Sequence, residues 1–413
     1  MNDIIAKLPK MLSGNELSDA MSILPEYDAD IRKENQAIRL VALSELYRVY
    51  VPSQMSMEIY NKLYLALLRS LQKKGTNMAI QQQNENFKAI RHQEYNGIIG
   101  GSDSFTIIGT SGIGKSSAIN MAISLITENR IIETEKPYSK IVPCIVIQCP
   151  FDSSVKGLLL EILRKIDSIL GCNFYENALK TKAAIDTLIG SVSQVALNHI
   201  GLLIVDEIQN VVNSKNGKNL VGALTQLINN SGISICMVGT PESTVFFEQA
   251  MQLARRSLGL KYDVMAYDDY FKEFCRVVFS YQYVQNKTEI TDAIMEWLYE
   301  HSAGVISVVV SLIHDAQEVA ILNGKEVLSL ETLNEAYQQR LSMLHDYIQP
   351  QIIHKNQASR TKKKKQIPAA SEINVNENGN NISISELVTK AKENQLDVVE
   401  VLKNHFSITE VAV

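Results

Sequence analysis

The chain has 413 residues, of which 46% are hydrophobic and 21% charged, so it is long enough for two or three structural units around a large core. No apolar run approaches the ~18 residues that span a membrane, and the N-terminus lacks a basic-then-apolar signal pattern, so we expect a cytoplasmic protein with no membrane partner. The net charge of −5 excludes a surface coated in positive charge, and contacts with nucleic acid would need a local patch or a pore multiplied by oligomerisation.

Residues 1–95 are predicted to form an N-terminal helical region. One helical segment starts near Asp30 and stops before Pro52, the next covers residues 56–74, and a third covers residues 79–94. Apolar side chains recur at every fourth residue of the second segment, at Ile59, Leu63, Leu67 and Leu71. This broad apolar face favours packing against the core that follows, although a partner-binding face has the same pattern.

A Walker A motif, GxxxxGK[ST], occupies residues 109–116 after an apolar strand-like run and before a helix-like one. Its glycines let the backbone curl, so that N–H groups and the helix N-terminus point at phosphates. Lys115 would reach the β and γ phosphates of ATP, and the Ser116 hydroxyl would ligate Mg²⁺. The expected nucleotide contacts are Gly109, Thr110, Ser111, Gly112, Ile113, Gly114, Lys115, Ser116 and Ser117.

A second motif, residues 201–207, is an apolar strand that ends in two acids, as a Walker B motif does. Asp206 would hold Mg²⁺ through its water shell. Glu207 would orient and deprotonate the attacking water. Two acids after a strand also occur as the N-cap and first turn of a helix, but the position downstream of a Walker A motif favours the functional interpretation.

Residues 96–268 are predicted to form an α/β nucleotide-binding domain. Strands and helices alternate there, which favours a parallel sheet flanked by helices. The predicted strands are residues 104–108, 141–148, 202–205, 233–238 and 261–265. A whole strand–helix unit separates the two Walker motifs, which is typical of P-loop ATPases with an extra strand between the Walker strands.

The chain becomes wholly helical over residues 269–349, and we expect a small helical lid there. The predicted lid helices are residues 269–283, 291–301, 305–322 and 330–347. Residues 350–382 form a basic and polar stretch with little apolar bulk, which predicts a disordered linker. Apolar periodicity returns within residues 383–413, and we expect a helical tail that binds a partner or folds back on the lid.

The helical prefix, the Walker motifs and the helical lid together look like an AAA+ ATPase. The phrases VDEIQ at 205–209, MVGTPE at 237–242 and LARR at 253–256 resemble the TnsC/TniB family of bacterial transposition regulators. The resemblance implies ATP-bound subunits that assemble as a ring or helical filament on double-stranded DNA of any sequence. It also implies that this homo-oligomer receives a target-selector protein and recruits transposase subunits.

The resemblance assigns three further residues to hydrolysis. Thr240 matches the polar sensor 1 residue that helps to position the lytic water, and Arg255 and Arg256 match arginines presented to the neighbouring subunit's γ-phosphate. A guanidinium supplied in trans neutralises charge on the transferred phosphoryl group and makes hydrolysis depend on assembly. Paired arginines after a helix also occur on solvated surfaces. Ser307 stands where many AAA+ lids carry a nucleotide-sensing arginine, so we expect slow hydrolysis.

Contacts with DNA are less evident in the sequence, which has no continuous basic stripe. We expect them in two loops at the sheet edge that would face a central pore. The candidate residues are Lys136, Lys140, Ser153, Ser154 and Lys156. Loop lysines are often only solvated, and Ser153 would serve equally well as the N-cap of the helix that follows.

Two other functional classes fit parts of the pattern. A signalling or defence P-loop NTPase would use the nucleotide to lock a closed monomer, with no need for DNA. An initiator-like AAA+ DNA-binding ATPase shares the helical lid, but it should carry a winged-helix domain after the lid. The tail of this chain is too short and polar to form such a domain. ATP-dependent binding to nonspecific duplex DNA distinguishes the transposition regulator from the signalling switch.

Overall fold

The computed structural model describes residues 3–100, 104–134, 140–211, 217–244 and 259–341. The predicted linker and tail lie outside these ranges, as do the candidate site residues Lys136, Arg255 and Arg256. The last predicted lid helix is described only as far as residue 341.

A six-stranded sheet forms the centre of the described part of the chain. Its strands are β1 (Phe105–Gly109), β2 (Ile132–Glu133), β3 (Lys140–Gln148), β4 (Ile200–Asp206), β5 (Ser234–Gly239) and β6 (Leu260–Tyr262), in the spatial order β2-β3-β4-β5-β1-β6. All neighbouring strands are parallel except β2 and β3. The five predicted strands are present, and β2 is an addition because a two-residue strand has no period to detect.

The strand order brings the two Walker motifs to one edge of the sheet. Strand β5 lies between β1 and β4, and Ile108 pairs with Gly239 while Val205 pairs with Met237. Because the strands are parallel, their carboxyl ends share an edge, where loops meet. Every residue of β1 and β5 is buried, as expected for strands covered by helices on both faces. The prediction of a P-loop AAA+ sheet with an extra strand between the Walker strands is confirmed.

Helices cover both faces of the sheet. Those of the N-terminal and sheet regions are α1 (Asp3–Ala6), α2 (Gly14–Met21), α3 (Gln36–Ala42), α4 (Gln54–Lys73), α5 (Asn77–Ile90), α6 (Lys115–Thr127), α7 (Val155–Leu170), α8 (Phe174–Lys180), α9 (Ile185–His199) and α10 (Gly217–Ser231). Helices α4 and α6 contribute to the core on one face, and α7, α9 and α10 to the core on the other. The apolar side chains that recur at every fourth residue of α4 are fully buried in this core. This face of the helix therefore packs against the rest of the chain.

The N-terminal region departs from the predicted pattern between residues 29 and 51. The expected single helix is divided into 3₁₀ turns at Ala29–Lys33 and Leu43–Arg48 with α3 between them. The Asn35 carboxamide oxygen accepts a hydrogen bond from Ile38 N at 3.1 Å and so starts a new helix at this point. Leu43, Leu46 and Val49 pack into the core of the helical lid rather than onto the sheet.

As far as residue 341, the last described residue, the lid consists of four helices and a short π-helical turn. They are α11 (Asp269–Ser280), α12 (Asp292–Ser302), α13 (Ile306–Leu322) and α14 (Leu330–Ala336), followed by the turn Tyr337–Leu341. Within the described ranges, no single helix is long and apolar enough to cross a membrane. Helices α12 and α13 meet that criterion only as a pair, and the pair is bent by 119°.

A buried ion pair fixes the N-terminal segment to the lid. The Arg39 guanidinium donates two hydrogen bonds to the Glu326 carboxylate at 2.6 and 2.7 Å and one to Tyr283 O at 3.0 Å. The Arg39 side chain is 3% exposed and that of Glu326 is 15% exposed. These hydrogen bonds lower the pKa of Glu326 against the opposing effect of burial. The stabilisation is therefore present above the pKa of a free glutamate and is lost as the pH falls through the lowered value.

We expect Arg39→Met to lower the free energy of unfolding by about 3–5 kcal/mol, because Glu326 would keep a partly buried charge without its partner. The measurement is chemical denaturation monitored by circular dichroism. The exposed pair Arg276–Glu273 provides the control, since Arg276→Met should cost less than about 1 kcal/mol. Equal losses in the two variants would contradict a structural role for the buried pair.

Candidate nucleotide site

The Walker A motif forms an open loop between β1 and α6. Gly112 and Gly114 have φ values of 82° and 96°, a conformation that glycine adopts without steric cost. Gly114 is the N-cap of α6, and no side chain caps the helix there. The first N–H groups of this 13-residue helix therefore have no capping side chain and form a positive helix end suited to phosphate.

Lys115 lies inside this loop. Its Nζ donates hydrogen bonds to Gly109 O at 2.6 Å and to Thr110 O at 2.8 Å, and the residue is 9% exposed. Burial lowers the pKa of the ammonium group, and the carboxylates of Asp206, Glu207 and Glu242 oppose that shift. The lysine is thus a partly desolvated cation beside three acids, at the position where a phosphate would be bound.

A polar cavity of about 250 Å³ joins the two Walker motifs and the loop after β5. It is lined by Ser111, Gly112, Gly114, Lys115, Ser116, Ser117, Asp206, Glu207, Gln209, Gly239, Thr240 and Ser307. Sequence reasoning placed most of these residues in the nucleotide site, and the cavity brings them together. The Ser116 hydroxyl and the Asp206 carboxylate are oxygen donors of the kind that Mg²⁺ prefers, so the donor set fits this ion.

The end of the Walker B strand holds an unusual backbone conformation. Glu207 has a φ of 57°, a left-handed value that is unfavourable for a residue with a side chain, and its N–H donates to Asp206 Oδ1 at 2.8 Å. Its side chain is exposed to the cavity. Such conformations persist where the surrounding structure imposes them, often at functional sites.

Gln209, to which sequence reasoning gave no individual role, links Glu207 to the strand beside it. Its Nε2 donates a hydrogen bond to Glu207 Oε2, and its Oε1 accepts one from Thr240 N at 3.3 Å. One carboxamide therefore sets the distance between the Glu207 carboxylate and the tip of β5. The phrase DEIQ contains this residue, but no sequence pattern shows which way its side chain points.

Thr240 lies at the tip of β5, inside the polar cavity. Its hydroxyl is close enough to the Glu242 carboxylate to lower the pKa of that group. The geometry falls short of a hydrogen bond, and Thr240 Oγ1 is buried with no hydrogen-bond partner among the described residues. An unsatisfied buried hydroxyl is costly in a folded protein, and this one lies in the lining of the polar cavity, within reach of a bound phosphate or water.

An apolar cavity of about 220 Å³ adjoins the polar one and shares Gly112, Gly114, Ser117 and Ser307 with it. Its apolar walls come from three distant parts of the sequence: Tyr47, Val49, Val51, Met55, Met265, Phe274, Ile306 and Val310. Sequence reasoning missed this cavity because no local motif joins the N-terminal segment, the sheet and the lid. Its size and lining fit an aromatic base next to bound phosphates.

The lid contacts the Walker A loop directly. Ser307 N, in the first turn of α13, donates a hydrogen bond to Gly112 O at 3.1 Å, and Met265 N donates one to Gly304 O at 3.1 Å. A side chain at Gly112 would collide with Ser307 and Val305. Ser307, which stands where many AAA+ lids carry an arginine, thus contacts the Walker A loop through its backbone.

The candidate DNA contacts do not form one cluster. Lys140 begins β3, whereas Ser154 and Lys156 follow its other end, so the two groups are separated by about 26 Å of extended strand. Lys140 and Lys156 are exposed. Ser153 is fully buried, and its hydroxyl donates to Asn210 O at 3.0 Å, so it is not available to DNA.

The N-cap of α7 is also corrected. Ser154, not Ser153, caps the helix, because Ser154 Oγ accepts a hydrogen bond from Gly157 N at 3.1 Å. Ser153 has a left-handed backbone, with a φ of 51°, which is not the extended conformation of an N-cap.

Comparison with known families supports the interpretation drawn from the motifs. Residues 98–261 match the family model of the bacterial TniB protein. The matched segment contains both Walker motifs and strand β5, which is followed by Thr240. The prediction of a TniB/TnsC-type AAA+ ATPase is confirmed for this part of the chain. No curated protein matches the chain with significant sequence similarity.

Several solved structures are similar at 13–16% identity. Drosophila ORC bound to DNA aligns with 13% identity over 98% of this chain and 85% of its own, with a TM-score of 0.46. The ORC1 protein of Aeropyrum pernix in complex with DNA aligns with 13% identity over 63% of this chain and a TM-score of 0.41, and the alignment spans 64% of the length of that protein. Domain III of the Thermotoga maritima replication initiation protein DnaA aligns with 16% identity, covering 67% of this chain and 94% of the domain, with a TM-score of 0.36.

We expect Gln209→Leu to lower the kcat of ATP hydrolysis about 10- to 100-fold, because the hydrogen bond that orients the Glu207 carboxylate is worth about 1.5–3 kcal/mol. Affinity for ATP should change little, since Gln209 lies beyond the phosphate loop. Glu207→Gln should slow hydrolysis more, by about 10²–10⁴-fold.

Steady-state ATPase assays and fluorescent nucleotide titrations measure the two quantities. Gln285→Leu changes an exposed glutamine of the lid and serves as the matched control. A Gln209→Leu protein that hydrolysed ATP at the wild-type rate would remove this residue from the mechanism.

Proposed function

Because residues 98–261 form a TniB-type segment, we propose that this chain is an ATP-dependent regulator of DNA transposition. In this proposal the ATP-bound protein oligomerises on double-stranded DNA of any sequence. The assembly receives a target-selector protein and recruits transposase subunits, and ATP hydrolysis ends its lifetime. The observation that supports the proposal is that one segment both matches the family and brings the side chains of the two Walker motifs into one polar cavity.

ATP binding is assigned to the two joined cavities. The base would enter the apolar cavity between the N-terminal segment and the lid, and the phosphates would meet the N-terminus of α6. Lys115 would exchange its carbonyl partners, Gly109 O and Thr110 O, for phosphate oxygens. Ser116 and Asp206 would hold Mg²⁺, which supplies charge neutralisation on the phosphoryl oxygens.

Hydrolysis is assigned to the side chains on the other side of the polar cavity. Glu207 would take the proton of the attacking water, and Gln209 would keep its carboxylate in position. The buried hydroxyl of Thr240 supports a role in hydrogen bonding to that water or to the γ-phosphate. Arg255 and Arg256, outside the described residues, are proposed to complete the site of a neighbouring subunit.

The proposed DNA contacts among the described residues lie near the two ends of β3. Lys156 is exposed in the first turn of α7, near the Ser154 cap, and would bind phosphate without reading sequence. Lys140 lies at the other end of the strand and would reach DNA only at a separate point. Lys136 stays a sequence-based candidate because it lies outside the described residues.

We expect the wild-type protein to form multimers on duplex DNA of random sequence when a slowly hydrolysed ATP analogue is present, but not with ADP. The affinity should fall steeply as salt rises, because phosphate contacts release counterions. Lys115→Ala should abolish assembly by removing ATP binding. Electron microscopy and fluorescence anisotropy check these outcomes. A protein that binds ATP but stays a monomer indifferent to DNA would instead indicate a signalling switch.

The role of the arginine pair is tested by mixing variants that are each inactive. Lys115→Ala subunits cannot bind ATP, and Arg255→Ala/Arg256→Ala subunits cannot complete a neighbour's site. If the arginines act in trans, the mixture should regain ATPase activity. A mixture that assembles together but stays inactive would contradict this part of the proposal.

A further inference from the structure

A short loop after β3, residues 150–154, presents an aromatic side chain to solvent. Phe151 at its tip is 90% exposed. The rest of the loop is tightly held: Ser153 N donates to Pro150 O at 2.9 Å, and Ser154 N donates to Asp152 Oδ1 at 2.9 Å. Ser153 has a left-handed backbone, which closes the turn. The phenyl ring is therefore held outward by a loop with an internally bonded backbone.

Three hydrogen bonds tie this loop to the Walker B segment. Cys149 N donates to Asp206 O at 2.8 Å. Asn210 Nδ2 donates to Cys149 O at 3.0 Å, and Asn210 O accepts from Ser153 Oγ at 3.0 Å. Asn210 thus contacts Cys149, the residue before the loop, with its side chain, and Ser153, inside the loop, with its backbone.

Asn210 is also bonded to the hydrolytic residues. It lies in the 3₁₀ turn Ile208–Val211, and its N–H donates to Glu207 O at 3.1 Å. The preceding residue, Gln209, contacts the Glu207 carboxylate and Thr240 N. Neighbouring carboxamides of one turn therefore face opposite ways, one toward the phosphoryl site and one toward the 150–154 loop.

The backbone of Glu207 is the point at which this linkage can change. Its left-handed conformation, with a φ of 57°, is unfavourable for a residue with a side chain and must be held by its surroundings. When the Glu207 side chain gains or loses a contact at the phosphoryl site, the forces that hold its backbone in this conformation change. Because Asn210 N is bonded to Glu207 O, a rearrangement there would be transmitted to the loop.

We propose that Asn210 is a positioning residue that couples the phosphoryl site to the 150–154 loop, and that Phe151 at the tip of the loop contacts DNA. This inference rests on the proposed function, which supplies the DNA and the hydrolysis. The chemistry of the loop fits: aromatic rings stack on bases or wedge between base steps, and Lys156, exposed in the next helical turn, would neutralise a phosphate.

Coupling of this kind is reciprocal. If replacing ADP by ATP changes the affinity for DNA by some factor, binding of DNA changes the ratio of the affinities for ATP and ADP by the same factor. This factor is commonly about 5- to 150-fold. A residue that only stabilises the fold would change both affinities without changing their ratio. The ratio of DNA affinities in the two nucleotide states is therefore the quantity that identifies a coupling residue.

The experiment measures the affinity of the full chain for a duplex of random sequence, at one salt concentration, with a slowly hydrolysed ATP analogue and with ADP. We expect a ratio of at least about fivefold for the wild type. Asn210→Ala removes the hydrogen bond from Asn210 Nδ2 to Cys149 O and should lower the ratio toward one. Asn177→Ala changes an exposed asparagine on α8 and should keep the wild-type ratio.

A second variant guards against misfolding of the first. Ser153→Gly removes the hydroxyl that bonds Asn210 O, and glycine accepts the left-handed backbone at this position, so the turn itself is preserved. We expect it to lower the ratio as Asn210→Ala does. Phe151→Ala should weaken DNA binding in the ATP-analogue state at least about fivefold, as expected for loss of a stacking aromatic side chain.

The possible outcomes distinguish a failure of this inference from a failure of the proposed function. A wild-type ratio retained in both Asn210→Ala and Ser153→Gly, or a Phe151→Ala protein that binds DNA as the wild type does, would overturn this inference alone. A wild-type protein that binds no DNA in either nucleotide state would overturn the proposed function and this inference with it.

Discussion

A backbone hydrogen bond, from Ser307 N in the first turn of α13 to Gly112 O in the phosphate loop, joins the lid to the nucleotide-binding sheet. It satisfies an N–H that a helix N-terminus otherwise leaves unpaired, and glycine at position 112 lets the two backbones approach this closely. Gly112 and Ser307, the two residues of this contact, line both the apolar and the polar cavity. The proposed base site depends on this contact, because the lid forms part of the wall of the apolar cavity.

The N-terminal region takes part in the same arrangement. Residues 43–49 pack in the lid core, and the Arg39–Glu326 ion pair holds that segment in place. Tyr47, Val49 and Val51 then form walls of the apolar cavity. A segment far from the Walker motifs in sequence is thus part of the candidate nucleotide site, which explains why a helical prefix precedes the sheet.

The parts of the structure that follow from local chemistry could be predicted, and those that depend on distant contacts could not. Strands β1, β4 and β5 are apolar runs next to fixed motifs, so the sheet and the polar cavity were accessible from sequence. The direction of the Gln209 side chain and the apolar cavity were not, because they depend on how separate segments meet. Ser153 was misassigned because serine is suited equally to an exposed loop, a helix cap and a buried hydrogen bond. The break between residues 29 and 51 was missed because the side-chain cap at Asn35 outweighs the helical pattern around it.

The most direct test of the claim that the lid completes the nucleotide site is the affinity for ATP when the Ser307–Gly112 backbone contact is removed. Ser307→Pro eliminates the donor N–H, and proline is tolerated in the first turn of a helix. Ser307→Ala changes the side chain but keeps that N–H, so it is the matched control. We expect Ser307→Pro to weaken ATP binding about tenfold, equivalent to about 1.4 kcal/mol for one hydrogen bond, while Ser307→Ala binds as the wild type does. Equal affinities in the two variants would contradict the claim that the lid completes the nucleotide site through this contact.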